Sequence, residues 1–412
     1  MVQRRKVILS SLGTAAGLAL AGCSADGPSQ TGTRTVANTW TDPKESPSAA
    51  AVKLTVSPVA GAAGVLPTTP VVITVDGGKL RSCSVATAGS KIAGKLDDDG
   101  VTWRSTDSMA YGKTYKVTAS VLDSAGATVQ KTSSFTTLKP DAVARITFQA
   151  NGLAALNTGG TYGVGQPVIV AFSRSVTNKA AAEKAIDITT SPSVEGKFYW
   201  VSSKIVHWRP AKYWAKGSSV KVSVNGLGVN FGGGVYGANA KTHFTVGRSL
   251  VAICDNNTHR TKVYVDGKMV RNMACSTGRG GYTKAEDGHT IHFWTQAGPH
   301  VVLSKEQTHS MSSASYGLTN PNDPYYYAPE DVHLCTRISY SGEFLHAAPW
   351  NHSLGRANIS HGCINLSIAD AQWVYDNFIV GDVVDVRNSP KPLPISDGLG
   401  DWTVPYDRYG HS

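Results

Sequence analysis

Long apolar runs are missing from this 412-residue chain; the nearest approach, Val7 to Gly22, is shorter than the ~20 residues a membrane-spanning helix needs. Charge is sparse too. Asp, Glu, Lys and Arg make up 17% against 41% hydrophobic residues, a balance of folded units rather than of a wholly disordered chain. No zinc-finger spacing, recognition-helix pattern or aromatic RNA-binding signature is present, so nothing supports a nucleic-acid partner. Acidic residues are scarce in the front of the chain: residues 1–249 hold 27 Lys and Arg against 13 Asp and Glu, whereas residues 250–412 hold 12 against 16. The basic front reads first as a solvated surface, with anionic lipid or acidic wall polymer as the alternative. At roughly 100–200 residues per domain, the length suggests three folded units.

The first residues address the chain for export. Arg4, Arg5 and Lys6 precede the apolar stretch in the manner of a secretory signal over 1–22, and Arg4-Arg5 hints at the twin-arginine route. Leu20-Ala21-Gly22-Cys23 resembles the bacterial lipobox, in which small residues precede a cysteine that receives lipid. The expected mature protein begins at a lipidated Cys23, is held to the cell membrane through that lipid, and faces the wall outside the cytoplasm. Residues 23–50, rich in Ser, Thr, Pro, Gly and Ala, read as a flexible tether. Cys83, Cys254, Cys275 and Cys335 are an even number in an oxidising compartment, so pairing is permitted. Cys254 and Cys275 fall on neighbouring predicted strands with another strand between them, which makes a bridge between those two doubtful.

From about Ala51 to Val246 short alternating runs recur. Tyr115, Val117, Ala119 and Val121 alternate with Lys116, Thr118 and Ser120, and Val220, Val222 and Val224 alternate with Lys221 and Ser223. Period two signals half-buried strands. The stretch repeats itself: Pro70-Val71-Val72-Ile73 is answered by Pro167-Val168-Ile169-Val170, and Trp103-Arg104 by Trp208-Arg209. The fold expected is mainly β, with two tandem immunoglobulin-like β-sandwiches over 51–139 and 140–248, then a β-rich domain over 249–388 with a short helix, and an extension over 389–412 packing on that domain. Neither sandwich contains an acid, base and nucleophile set, so spacing is their expected work. Asn230-Phe231-Gly232-Gly233-Gly234 lacks the carboxylates a calcium loop would need.

Chemistry concentrates after Ser249, where ten of the twelve histidines lie. Val263 to Val270 reads as a hairpin around Asp266-Gly267. Residues 276–330 form a long Gly-, Ser- and Pro-rich stretch with consecutive Tyr325, Tyr326 and Tyr327, the pattern of a lid or binding wall. Two segments then stand out: Ser339 to Trp350, containing His346, and Ser360-His361-Gly362-Cys363-Ile364-Asn365-Leu366-Ser367. A thiol with a pKa of about 8.5 is only a few per cent thiolate at neutral pH, and a nearby histidine can supply the missing activation. Gly362 permits a tight turn on which the N–H groups of Gly362 and Cys363 could meet an oxyanion, with Ser360 and His361 shaping the loop. Ser367-Ile368-Ala369-Asp370 fits a helix-capping signature.

These motifs, with Ser313 to Gly317 and the tail Asp397-Gly398-Leu399-Gly400-Asp401-Trp402, resemble the L,D-transpeptidase catalytic domain in its multidomain actinobacterial lipoprotein form. The resemblance implies Cys363 as nucleophile and His346 as base. It places Ser341 and Gly342 in the donor subsite, Asn358 and Asn365 on the stem peptide or the turn, and Tyr327 as a pocket tyrosine. Ala347 stands where the family often has Ser or Gly, a change that a role for its backbone carbonyl in orienting the imidazole tolerates. The implied partners are peptidoglycan tetrapeptide stems as donor and acceptor, with carbapenems as covalent inhibitors and no cofactor or metal. Three alternatives compete. Papain-like endopeptidases place cysteine before histidine, the reverse of His346 and Cys363. A non-enzymatic wall-binding lipoprotein leaves both residues unexplained, and a zinc site at His346, His361 and Cys363 is chemically possible.

Overall fold

The computed structural model describes residues 52–410. The signal, Cys23 and the tether lie outside the described residues. In residues 52–139 the alternation seen in the sequence becomes two facing sheets. One orders Lys53–Ser57, Val72–Asp76, Thr102–Ser105 and Gly94–Leu96, and the other Ser90–Ile92, Gly78–Thr87, Thr114–Asp123 and Thr128–Thr136. Tyr115, Val117, Ala119 and Val121 point between them onto Ile73, Trp103 and Phe135. Each Val, Ile or Phe side chain among them, fully removed from water, stabilises by about 1.5–3 kcal/mol.

The second module repeats the plan with a five-stranded and a four-stranded sheet. The repeat extends to packing detail. A Cβ on Gly94 would lie 2.1 Å from the Trp103 ring, and one on Gly196 would lie 2.2 Å from the Trp208 ring, so both modules need a bare backbone beneath the same tryptophan. Module cores are separate, the first around Tyr115 and the second around Trp208, Trp214 and Phe244.

Residues from Leu250 onward build a mixed nine-stranded sheet. Its spatial order is Gly298–Val301, Val383–Arg387, Leu250–Asp255, Arg260–Val265, Lys268–Ser276, Ile364–Leu366, Phe344–Ala347, Glu330–Arg337 and Ser304–Met311. The hairpin expected at Asp266-Gly267 is present, with φ of 49° and 79° at the two turn residues, the left-handed pair that suits a two-residue hairpin loop. Helix Ile368–Asn377 starts where the capping signature put it: Ser367 accepts from the Asp370 N–H, and Ala371 and Val374 sink into the core. Cys254 and Cys275 bring their sulfurs to 3.9 Å across the intervening strand and are free thiols, as are Cys83 and Cys335.

Two expectations need correction. The extension over 389–412 does not pack on the catalytic domain alone but bridges it to the second module. Asp401, fully buried, bonds His207 Nδ1 at 2.9 Å and accepts from Tyr409 Oη at 2.6 Å. Arg209 stacks 4.2 Å from the Tyr409 ring and 4.7 Å from that of Trp402, and donates to the Val404 carbonyl at 2.6 Å. Burial alone would raise the Asp401 carboxyl, but His207, Tyr409 and Arg209 outweigh it and hold it below the usual carboxylate range. The second module is also more than a spacer. Val383 of the catalytic sheet belongs to its core, and Gly163 packs so closely that a Cβ there would come within 2.1 Å of the Asp382 amide.

Candidate active site

Parallel pairing of Phe344–Ala347 with Ile364–Leu366 sets Leu345 opposite Ile364 and His346 opposite Asn365. The distant His346 and Cys363 segments become neighbours because both short strands are apolar enough to be buried in mid-sheet. Cys363 follows a turn in which Gly362 has φ of 141°, a conformation glycine adopts without strain. Ser360 ties that turn together, accepting from the Gly362 N–H at 3.1 Å and donating to the Cys363 carbonyl at 2.6 Å, while Thr295 Oγ1 donates to the Gly362 carbonyl at 2.6 Å. The Gly362 N–H is therefore engaged by Ser360, which corrects its expected role as a free oxyanion donor.

The imidazole of His346 is 3% exposed and has a defined tautomer. Nδ1 lies 2.8 Å from the Ala347 carbonyl, which can only accept, so Nδ1 carries the proton. Nε2 then accepts from Asn365 Nδ2 at 2.8 Å, and Asn365 Oδ1 in turn accepts from Asn351 Nδ2 at 2.9 Å. Burial pulls the His346 pKa down to about 4 against the modest upward pull of the Ala347 carbonyl. Burial likewise pushes the Cys363 thiol up to about 12, although the Phe344 N–H works in the opposite sense. The thiol donates to the Gly342 carbonyl at 3.5 Å. At rest the site is thus a neutral thiol beside a neutral imidazole.

Two cavities meet at Cys363. One of about 290 Å³ is lined by His346, Trp350, Asn351, Asn365, Arg279 and Glu330. The other, of about 470 Å³, is lined by Ser341, Gly342, Gln296, Tyr316, Arg337 and Lys391. Cys363, His361, Tyr327 and Met311 line both. Ser341, Gly342, Asn365 and Tyr327 are therefore at the site, Asn365 chiefly as a partner of the imidazole. Asn358 is not: its amide is used up on His259, Thr277 and Asn256, at 2.8–3.1 Å, and it lines neither cavity. The expectation that it holds the stem peptide is corrected, because a saturated amide has no group left to offer. His361 packs edge-on to Phe293 and lies 4.9 Å from the Tyr327 ring, and burial with Arg279 nearby takes its pKa down to about 4.

Several residues at the site were not visible in the sequence. Asp397 of the tail accepts from the Ser341 N–H and from Gln296 Nε2, both at 2.7 Å. Buried Glu343 bonds His300 at 3.0 Å and accepts from the Gln296 N–H at 2.7 Å. From the other side, Gly152 of the second module donates to Tyr340 Oη at 2.5 Å. The loop carrying Ser341 and Gly342 is thus held from three directions, and only the tail motif around Asp397 signalled any of it.

The family model described as the L,D-transpeptidase catalytic domain matches residues 249–386, and that of a bacterial Ig domain matches residues 62–230. L,D-transpeptidase 2 of Mycobacterium tuberculosis is 38% identical over 368 residues, covering 87% of this chain and 84% of that one. L,D-transpeptidase 5 of the same organism is 33% identical, covering 87% and 76%. Among solved structures, L,D-transpeptidase 3 from M. tuberculosis in complex with a faropenem-derived adduct is 30% identical, covering 59% of this chain and 98% of that one, with a TM-score of 0.47.

Proposed function

Since the chain belongs to the L,D-transpeptidase family, we propose that it acts on peptidoglycan with Cys363 as nucleophile and His346 as base. The observation carrying this assignment is the strand register that sets His346 opposite Asn365, two residues from Cys363, with the imidazole Nε2 unprotonated. The donor is a tetrapeptide stem whose third residue, a diamino acid, is joined through its L-centre to terminal D-Ala. The Cys363 thiol first exchanges its bond to Gly342 for one to His346 Nε2, displacing the Asn365 amide. Sulfur then adds to the carbonyl of the third residue as the proton passes to Nε2. The oxyanion draws on the Cys363 N–H, since the Gly362 N–H is held by Ser360. The C–N bond breaks, His346 returns the proton to the leaving amine, and D-Ala departs from a thioester. An amine of a second stem attacks the thioester, gives its proton to His346 and forms a 3→3 cross-link, regenerating the thiol; water as acceptor gives carboxypeptidase activity instead.

Incubation with disaccharide-tetrapeptide tests the reading: mass spectrometry should show a cross-linked dimer with loss of D-Ala, and its absence, with no acyl-enzyme, would refute it. Carbapenems are expected to acylate Cys363, since their strained amide offers the same carbonyl and the resulting adduct turns over slowly. Leu20 to Cys23 support a lipid anchor and an extracytoplasmic site at the membrane, facing the wall. A Cys23→Ser variant that stayed membrane-bound and unlabelled by fatty acid would argue against lipidation as the anchor.

A further inference from the structure

The two cavities at Cys363 differ in one decisive respect: His346 lines the 290 Å³ cavity and is absent from the walls of the 470 Å³ one. On the transpeptidase reading, the imidazole gives a proton to the leaving amine and later takes one from the attacking amine. By microscopic reversibility both amines occupy the His346 side. The smaller cavity is therefore the amine site, and the larger one holds the acyl chain. The amine that leaves is the α-amine of D-Ala, a group with a carboxylate on the neighbouring carbon.

Apart from the thiol and the two imidazoles, the ionisable groups of the smaller cavity include Arg279 and Glu330. Among the described residues neither has an ion-pair partner within 4.0 Å. Arg279 is fixed all the same. Its Nε and Nη2 donate to the Ile359 carbonyl at 3.1 and 2.7 Å, and its guanidinium lies 5.7 Å from the Tyr325 ring centre. A guanidinium has five N–H donors, so this anchoring leaves donors to spare and holds the group without neutralising it. Glu330 opens strand Glu330–Arg337 on the wall of the same cavity. One unpaired cation and one unpaired carboxylate in one cavity complement a zwitterionic α-amino acid.

We propose that Arg279 is a specificity-determining residue that binds the α-carboxylate of the leaving and the incoming amine, while Glu330 receives the ammonium, which loses one proton to solvent before the free amine attacks and gives a second to His346. The proposal rests on the transpeptidase reading. An acceptor with a free carboxylate next to its amine is favoured over its carboxamide.

The test uses the full chain with disaccharide-tetrapeptide as donor and D-methionine or D-methionine amide as competing acceptors. Both acceptors partition from one acyl-enzyme, so the acid-to-amide product ratio is independent of how well the donor acylates. Wild type should favour the acid. Arg279→Gln should lower that ratio roughly tenfold to a hundredfold, the range for a charge-assisted hydrogen bond, and Arg279→Lys should restore part of it. Glu330→Gln should depress product from both acceptors together. An unchanged ratio in Arg279→Gln would overturn the proposal alone, because the guanidinium would then serve only the Ile359 turn. No product with any amine, and no acyl-enzyme, would overturn the transpeptidase reading as well.

Discussion

The resting charge state of Cys363 and His346 gives the sharpest test of the chemistry, because a neutral pair and a thiolate–imidazolium pair respond oppositely to pH. With the thiol raised to about 12 and the imidazole lowered to about 4, neither titrates between pH 6 and 9. An ordinary thiol would be about 3% thiolate at pH 7, whereas one at about 12 would be about 0.001%, roughly three-thousandfold less. Alkylation of Cys363 by iodoacetamide, read by peptide mapping, should therefore be slower by two to three orders of magnitude than for an unstructured cysteine. Acylation by a carbapenem should be flat across pH 6–9 and slower in D₂O, since the proton crosses to Nε2 as sulfur attacks. Stability provides an independent check. The unfolded His346 takes up a proton below about 6.5 and the native one only near 4, so stability is full above 6.5, falls as pH drops through that value and levels near 4. The difference is about 3 kcal/mol as an order of magnitude, and His346→Gln should remove that part of the pH dependence. A bell-shaped acylation profile with midpoints between 6 and 8, together with fast alkylation at neutral pH, would refute the neutral-pair argument.

Cys363→Ala should abolish thioester formation and cross-linking while leaving thermal unfolding unchanged; substantial turnover would end its assignment as nucleophile. Asp397→Ala removes two charge-assisted hydrogen bonds from the loop bearing Ser341 and Gly342. It should lower kcat/KM for the tetrapeptide donor about tenfold with little change in melting temperature. Asp401→Asn weakens the buried carboxylate's contacts with His207 and Tyr409, and urea unfolding should show a loss of about 2 kcal/mol or more, with the tail newly open to proteolysis. Deleting residues 51–140 should spare activity on soluble tetrapeptide but reduce 3→3 cross-links in cells, whereas deleting residues 140–248 should abolish both, since Val383 would lose its core and Tyr340 its partner Gly152.

Much of the molecule was legible in local pattern. Alternation at Tyr115 to Val121 and the Trp103 and Trp208 repeats gave two sandwiches, because strand burial has a period of two and duplicated packing leaves duplicated residues. Asp266-Gly267 and Ser367 to Asp370 encode their turn and cap in backbone preferences that need no distant partner. Cys363 and His346 stood out because their motifs are contiguous. What tertiary structure alone decided is everything that depends on pairing across the chain. The saturation of Asn358 by residues about 80 and 100 positions away turned a plausible substrate ligand into a structural one. Burial of His346 and Cys363 made the pair neutral, and side chains from stretches far apart in the chain divided the space around the thiol into two cavities. The union of second module, tail and catalytic sheet through Asp401, His207 and Arg209 likewise has no local signature, because a buried charge is tolerated only where partners remote in sequence converge on it.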